Sequence, residues 1–245
     1  MKILLVDNSN TRTKFTLAEG SKELSGTFWI PTREISPESL SEKLAGLDFD
    51  AALICSVVPE KRAILEAFLS SLAPIHLLTH ESPLGLALDY PKPASIGADR
   101  LANAVGVVAR HGSPAVVIDF GTAVTFDVIS AAPAYCGGVI APGLGAMTEY
   151  LGRRTALLPT FELAEPPAAI GKSTAGAMQS GAVIGYRGLV KEILAEIRRE
   201  LGEDIHAVAT GGDAALIARG VQEIEHVDPD LTLHGLRIVA EEVFL

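Results

Sequence analysis

The chain has 245 residues, 48% of them apolar and 20% charged, enough to fold and bury a substantial core. Its net charge of −10 argues against a nucleic-acid binder that works by neutralising phosphates; a phosphate-bearing ligand would need backbone N–H groups, a few cations and a metal ion. No apolar run approaches the ~20 residues that span a bilayer, and the run Met1 to Val6, cut off by Asp7, is too short for a signal peptide, so the expectation is a cytoplasmic protein with no membrane partner.

Strand-like runs fall at 2–7, 11–18 and 26–30. Ser36 is placed to cap a helix that starts near Pro37, with Glu38 and Glu42 in its first turns. Residues 51–57 read as a buried strand, in which Cys55 is a small hydrophobe rather than a disulfide partner of Cys136. Helical periodicity runs from Glu60 to Leu72, and a short strand follows at 75–78. Pro83, Pro91 and Pro93 make 83–96 a loop or an edge. Asp99 to Arg110 is amphipathic and helical, and the turn cluster His111-Gly112-Ser113-Pro114 divides the chain into 1–112 and 113–245.

The second half restarts the same order. Strands are predicted at 115–119, 122–129 and 135–140, a helix after Pro142-Gly143, and a long helix over 173–201 that stops before Gly202. A strand at 205–210 leads through Gly211-Gly212-Asp213 into another helix, and 232–245 is a last helix. Both halves read strand-strand-strand-helix-strand-helix, the pattern of an internal duplication.

The repeat is sharpest at two hairpins. Ile3 to Phe15 (ILLVDNSNTRTKF) and Ala115 to Phe126 (AVVIDFGTAVTF) are each an apolar run that ends in an aspartate, turns on small polar residues and resumes with Thr and apolar residues. Such residues make an ordinary hairpin turn; they also let N–H groups and hydroxyls converge on an anion, with a cation between the carboxylate and the phosphate. Two copies at matching places favour nucleotide binding.

Asp99 opens a predicted helix within Ile96 to Asn103 (IGADRLAN) and reads two ways. It is a carboxylate favoured by the helix dipole beside a surface Arg100, or a general base beside an arginine that can fork onto a substrate carboxylate. Gly97 would let the backbone approach a ligand closely. Gly137 to Gly145 lacks the third glycine of the dinucleotide fingerprint, and Gly171-Lys172-Ser173 lacks the first glycine and the preceding strand of a P-loop, so both readings are rejected. Ala209-Thr210-Gly211-Gly212 is a nucleotide-facing turn or a plain strand–helix junction.

In order and spacing, these motifs resemble the type III pantothenate kinases, of the superfamily that also holds acetate and sugar kinases and actin. The likeness covers nearly the whole chain: Asp7-Asn8-Ser9-Asn10-Thr11, Ser56-Val57-Val58-Pro59, Gly97-Ala98-Asp99-Arg100, Asp119-Phe120-Gly121-Thr122-Ala123, Gly137-Gly138 through Pro142-Gly143, and Gly171-Lys172-Ser173-Thr174. It implies an α/β fold of two duplicated ribonuclease-H-like lobes, with mixed sheets flanked by helices, of the actin-like ATPase type, and ATP in the cleft between them. It implies ATP-dependent phosphorylation of pantothenate, the first committed step toward coenzyme A.

By the same resemblance Asp99 is the proton acceptor. Tyr90, Gly97, Ala98, Asp99, Arg100 and Thr174 contact pantothenate. Asp7, Asn8, Ser9, Asn10, Thr11, Arg12, Thr13, Lys14 and Thr122 hold ATP, and Asp119 ligates a monovalent cation, K⁺ or NH₄⁺, alongside the Mg²⁺ of the nucleotide. A homodimer is implied as well. The chain departs from the family at Ser9, where Gly is usual and where a positive φ would strain a serine by on the order of 1 kcal/mol, and at Ser173, where Asn is frequent. Another small-molecule kinase of the superfamily, and a non-catalytic ligand-binding regulator, are the rival readings.

Overall fold

The structure, a computed structural model, describes residues 1–20, 23–154, 158–159, 161–202 and 204–245. In chain order its elements are strands β1 (Lys2–Asn8), β2 (Arg12–Glu19) and β3 (Glu23–Pro31), helix α1 (Pro37–Lys43), β4 (Ala51–Ser56), α2 (Pro59–Ser70), β5 (Ile75–Leu77), β6 (Ala87–Leu88) and α3 (Ala98–His111). There follow β7 (Ala115–Phe120), β8 (Ala123–Ile129), β9 (Ala134–Pro142), α4 (Leu144–Arg154), α5 (Thr174–Leu201), β10 (His206–Gly211), α6 (Ala214–Ala218), β11 (His226–Val227) and α7 (Leu231–Phe244). The two-residue strands β6 and β11 carry too short a pattern to register in the sequence.

Two compact units form. The first holds 1–112, 133–136 and 230–245, and the second holds 113–132 and 137–229. The division at 112/113 drawn from the turn cluster assigns the last helix to the second half; in the structure α7 groups with the first unit. The cause is a close crossing on α3: a Cβ at Gly106 would sit 2.5 Å from the Leu231 carbonyl oxygen, a Cβ at Gly235 would run into the Ala102 carbonyl oxygen, and Thr232 Oγ1 donates to Asn103 Oδ1 at 2.7 Å.

The first unit is built on a sheet ordered β3-β2-β1-β4-β5, antiparallel across β1–β2 and β2–β3 and parallel across β1–β4 and β4–β5. One face packs Leu4, Val6, Phe15, Ile30 and Ile54 with Leu40, Leu65 and Leu69 of α1 and α2. The other is covered by α3 and α7. Burial on both faces is why β1 and β4 are near-continuous apolar runs rather than alternating ones. In the second unit the strands run β11-β10-β7-β8-β9, with β7–β8 antiparallel and β7–β10 and β10–β11 parallel, which is the same order of elements.

Local signals set the helix ends. Ser36 and Ser39 form a reciprocal capping box at α1, with Pro37 in the first turn, and Gly202 ends α5 in the left-handed region at φ 67°.

Candidate active site

In the first unit, parallel pairing sets the C-terminal ends of β1 and β4 side by side, Asp7 against Cys55 and Asn8 against Ser56. Antiparallel pairing sets Lys14 opposite Asp7. Asp7 is only 6% exposed, and its Oδ1 accepts the Ser9 hydroxyl at 3.0 Å. The turn is closed by Ser9 N–H donating to the Arg12 carbonyl at 3.2 Å. Among the described residues no non-glycine residue has a positive φ, so Ser9 sits there without strain.

Beneath the turn runs a chain of side-chain hydrogen bonds. Ser56 Oγ donates to Asn8 Oδ1 (2.6 Å), Asn8 Nδ2 donates to Thr13 Oγ1 (2.7 Å), Thr13 and Thr32 hydroxyls pair (3.1 Å), and Thr32 Oγ1 donates to the Ser9 carbonyl (2.6 Å). Asn8 and Thr13, both expected to hold ATP, are buried, with their side chains committed to this chain. Asn10, Thr11 and Arg12 are exposed, and the Arg12 guanidinium lies 4.7 Å over the Trp29 ring. Thr32 escapes the sequence reading because nothing local marks it; it reaches the turn only through the pairing of β2 and β3.

Asp99 stands in the first turn of α3, half-buried, with Oδ1 accepting the Arg100 N–H at 2.8 Å. Burial raises its pKa; the Arg100 N–H and the guanidinium charge pull the other way without overcoming it. A Cβ on Gly97 would fall 2.6 Å from this same oxygen, so the missing side chain makes room for the Asp99 carboxylate. The Cys55 thiol is pushed well up, by burial first and then by the charges of Asp7 and Asp99. Both carboxylates therefore act on the end of one strand. Arg100 lies 5.7 Å over the ring of Tyr135, and Tyr90 meets that ring edge-on at 6.0 Å. Tyr135 belongs to the first unit through Pro133–Cys136. It too was absent from the sequence reading.

In the second unit Asp119 is near the end of β7, level with Thr210 of β10 and Thr125 of β8. Gly211, at φ 93°, leaves the space that a Cβ would take 2.6 Å from Asp119 Oδ1 and from the Phe120 carbonyl oxygen. Gly143 lies so close to the carbonyl oxygens of Gly121 and Thr122 that a Cβ would collide with both. Tyr186, its pKa pushed up to about 12 by burial and by the charge of Asp213, keeps its proton and donates to the Pro142 carbonyl at 3.0 Å, which anchors the entry to α4. Thr122 and Thr174 are exposed. Thr174 opens α5 directly after Ser173, whose Oγ accepts the Gly176 N–H at 3.1 Å. Serine and asparagine are equally good N-caps, so the departure at Ser173 preserves the helix start.

Among the described residues no three His, Cys, Asp or Glu side chains converge as a metal-holding group. The oxygen donors of Asp7 on one unit, and of Asp119 with nearby backbone carbonyls on the other, nonetheless suit hard cations completed by substrate phosphate or backbone oxygen.

Comparisons with known proteins bear on the family and the fold. A family model described as type III pantothenate kinase matches residues 3–196. A type III pantothenate kinase of Akkermansia muciniphila is 60% identical over 240 residues, which cover 98% of both chains. Among solved structures, a conserved putative Baf family transcriptional activator from Campylobacter jejuni superposes with a TM-score of 0.65 at 20% identity, covering 98% of each chain. A putative 2-dehydro-3-deoxygalactonokinase from Sinorhizobium meliloti does so with a TM-score of 0.65 at 13% identity, covering 99% of this chain and 97% of that one. At such identities these two speak for the α/β fold with mixed sheets flanked by helices.

Proposed function

The chain belongs to the type III pantothenate kinases, and from that premise we propose that its Asp99 is the base that readies pantothenate for phosphorylation by ATP. The enzyme is a phosphotransferase that converts pantothenate to 4'-phosphopantothenate, the opening step of coenzyme A synthesis. The observation that carries the residue assignment is the half-buried Asp99 carboxylate at the head of α3, its pKa raised by burial, acting with Asp7 on the same strand end. A raised carboxylate pKa brings a general base closer to the working pH.

In this reading the primary hydroxyl of pantothenate gives its proton to Asp99 as its oxygen attacks the γ-phosphorus in line. The bond from that phosphorus to the β,γ-bridging oxygen breaks, and ADP leaves. Arg100 forks onto the pantothenate carboxylate, with Tyr90 and the backbone of Gly97 and Ala98 beside it, and Thr174 is assigned to the same substrate. The turn Asp7 to Lys14 offers N–H groups and the cations Arg12 and Lys14 to the ATP phosphates, and Thr122 is assigned to ATP. Asp7 would hold the Mg²⁺ of the nucleotide, and Asp119 a monovalent cation, K⁺ or NH₄⁺. When bound, these ions neutralise phosphate charge that a chain of net charge −10 would otherwise repel.

We also propose a homodimer. Support comes from the exposed apolar side chains Ile140 and Tyr150, each 61% exposed, with Val139, Met147 and Ile184 on β9, α4 and α5. Sedimentation velocity reads this directly. A cytoplasmic location fits the substrate; among the described residues no helix is long and apolar enough to cross a membrane.

The test of the base is Asp99→Asn. Turnover in a coupled ADP-release assay should fall by roughly 10²–10⁴-fold. Because the folded pKa of Asp99 lies above its unfolded value, the folded state holds this proton more tightly. Its contribution to stability is therefore lost as pH rises through the window between the two values. The variant, which carries no charge to bury, should melt at an equal or higher temperature than the natural enzyme at neutral pH. Near-normal kcat in a folded Asp99→Asn protein removes Asp99 from the base role.

A further inference from the structure

We infer that Tyr135 is a positioning residue of the pantothenate site, the platform on which Arg100 and Tyr90 are set. The inference rests on the reading of Arg100 as the partner of the pantothenate carboxylate. Tyr135 is fully buried. Its ring carries the Arg100 guanidinium at 5.7 Å, within the reach of a cation–π contact, and receives Tyr90 at 6.0 Å with the rings 70° apart, the edge-to-face geometry aromatic pairs prefer.

The backbone fixes the platform. Leu88 of β6 pairs with Tyr135 of β9, Ala87 N–H donates to the Pro133 carbonyl at 3.0 Å, and Asp89 N–H donates to the Tyr135 carbonyl at 3.0 Å. Tyr90 follows directly on this ladder. The short strand β6 therefore registers Tyr90 and Tyr135 together, while Arg100 comes to the same ring from α3.

The Arg100 charge already acts on the neighbouring Asp99 carboxylate, and the ring adds a contact that fixes where the guanidinium lies. An aromatic ring holds the cation through its quadrupole and carries no net charge. Arg100 follows Asp99 immediately, so the ring that fixes Arg100 also fixes where a bound carboxylate lies relative to the base.

The experiment is steady-state kinetics on Tyr135→Met, Tyr135→Phe, Arg100→Gln and the double variant Tyr135→Met/Arg100→Gln, with pantothenate and ATP varied in turn. Methionine keeps much of the volume and removes the ring. Tyr135→Met should raise KM for pantothenate about tenfold, leave kcat within roughly twofold and leave KM for ATP unchanged. Tyr135→Phe should stay close to the natural enzyme, and the double variant should match Arg100→Gln alone because the two residues act through one contact.

Additive losses, a phenylalanine variant no better than methionine, or equal losses for both substrates overturn the inference. If Arg100→Gln itself leaves KM for pantothenate unchanged, the reading of the substrate site fails instead, so the two failures are distinguishable. A measurement on the natural protein covers the case in which Tyr135→Met does not fold. The Arg100 side-chain proton resonances, identified by their loss in Arg100→Gln, should lie upfield under the Tyr135 ring current and move when pantothenate is added. Arg100 resonances at ordinary positions, or indifferent to pantothenate, overturn it.

Discussion

The two hairpins of the repeated unit share a topology and differ in how their turns are built. At the first, Asp7 is buried and its carboxylate is restrained by the Ser9 hydroxyl, and the turn rests on a relay of side chains from Ser56 through Asn8 and Thr13 to Thr32. At the second, Asp119 is half-buried and the space around it is kept by missing side chains: Gly211 beside the carboxylate, and Gly143 against the carbonyls of Gly121 and Thr122. One turn is held rigid by satisfied polar groups, the other by close backbone approach. The first construction presents a fixed carboxylate and N–H groups, which suits a polyphosphate with its metal ion; the second sets the Asp119 carboxylate, a hard oxygen donor, against close-packed backbone.

The contrast is most exposed at Gly211. A Cβ there would be strained at φ 93° and would press on Asp119 Oδ1 and the Phe120 carbonyl, both at 2.6 Å. Gly211→Ala should lower stability by about 2 kcal/mol or more, seen as a drop of several degrees in Tm. It should also weaken any stimulation of turnover when K⁺ replaces Na⁺. A variant that melts normally and responds normally to K⁺ shows that the second turn does not depend on the missing side chain.

The matching test at the first turn is Thr32→Val, which keeps shape and removes the hydroxyl. It leaves the Ser9 carbonyl without this donor and cuts the relay at Thr13, with an expected loss of about 1–3 kcal/mol. KM for ATP should rise several-fold while KM for pantothenate holds. Equal effects on both substrates would make Thr32 a general stability residue rather than a support of the phosphate turn.

The smallest effect is expected at Ser9. With no positive φ there, Ser9→Gly relieves nothing and adds backbone freedom, so Tm should fall slightly, by the equivalent of about 0.5–1 kcal/mol. KM for ATP should change by less than roughly threefold. A glycine variant that melts higher than the natural protein would show that the serine is strained after all. Ser9, where the chain departs from the family, is in the structure a hydroxyl that steadies Asp7.

Much of this was legible in the chain because it is written locally. The order of strands and helices, the cap at Ser36, the stop at Gly202, the two aspartate hairpins and the helix headed by Asp99 each depend on periodicity or turn chemistry within about ten residues. The family follows from such motifs taken in order.

Tertiary structure decided what depends on register and on packing between distant segments. Two residues of β9 pair with β6 and bring Tyr135 under Arg100 and Tyr90. Thr32 reaches the first turn through the alignment of β2 with β3. The last helix joins the first unit because Gly106 and Gly235 let it approach α3 closely, and Thr232 finds Asn103 from 129 residues away. That Gly97 makes room for the Asp99 carboxylate is likewise visible only in where that carboxylate points. A residue's own neighbours in sequence specify the conformation it adopts; which surface it then meets is fixed only when the strands have chosen their register and the helices their crossings.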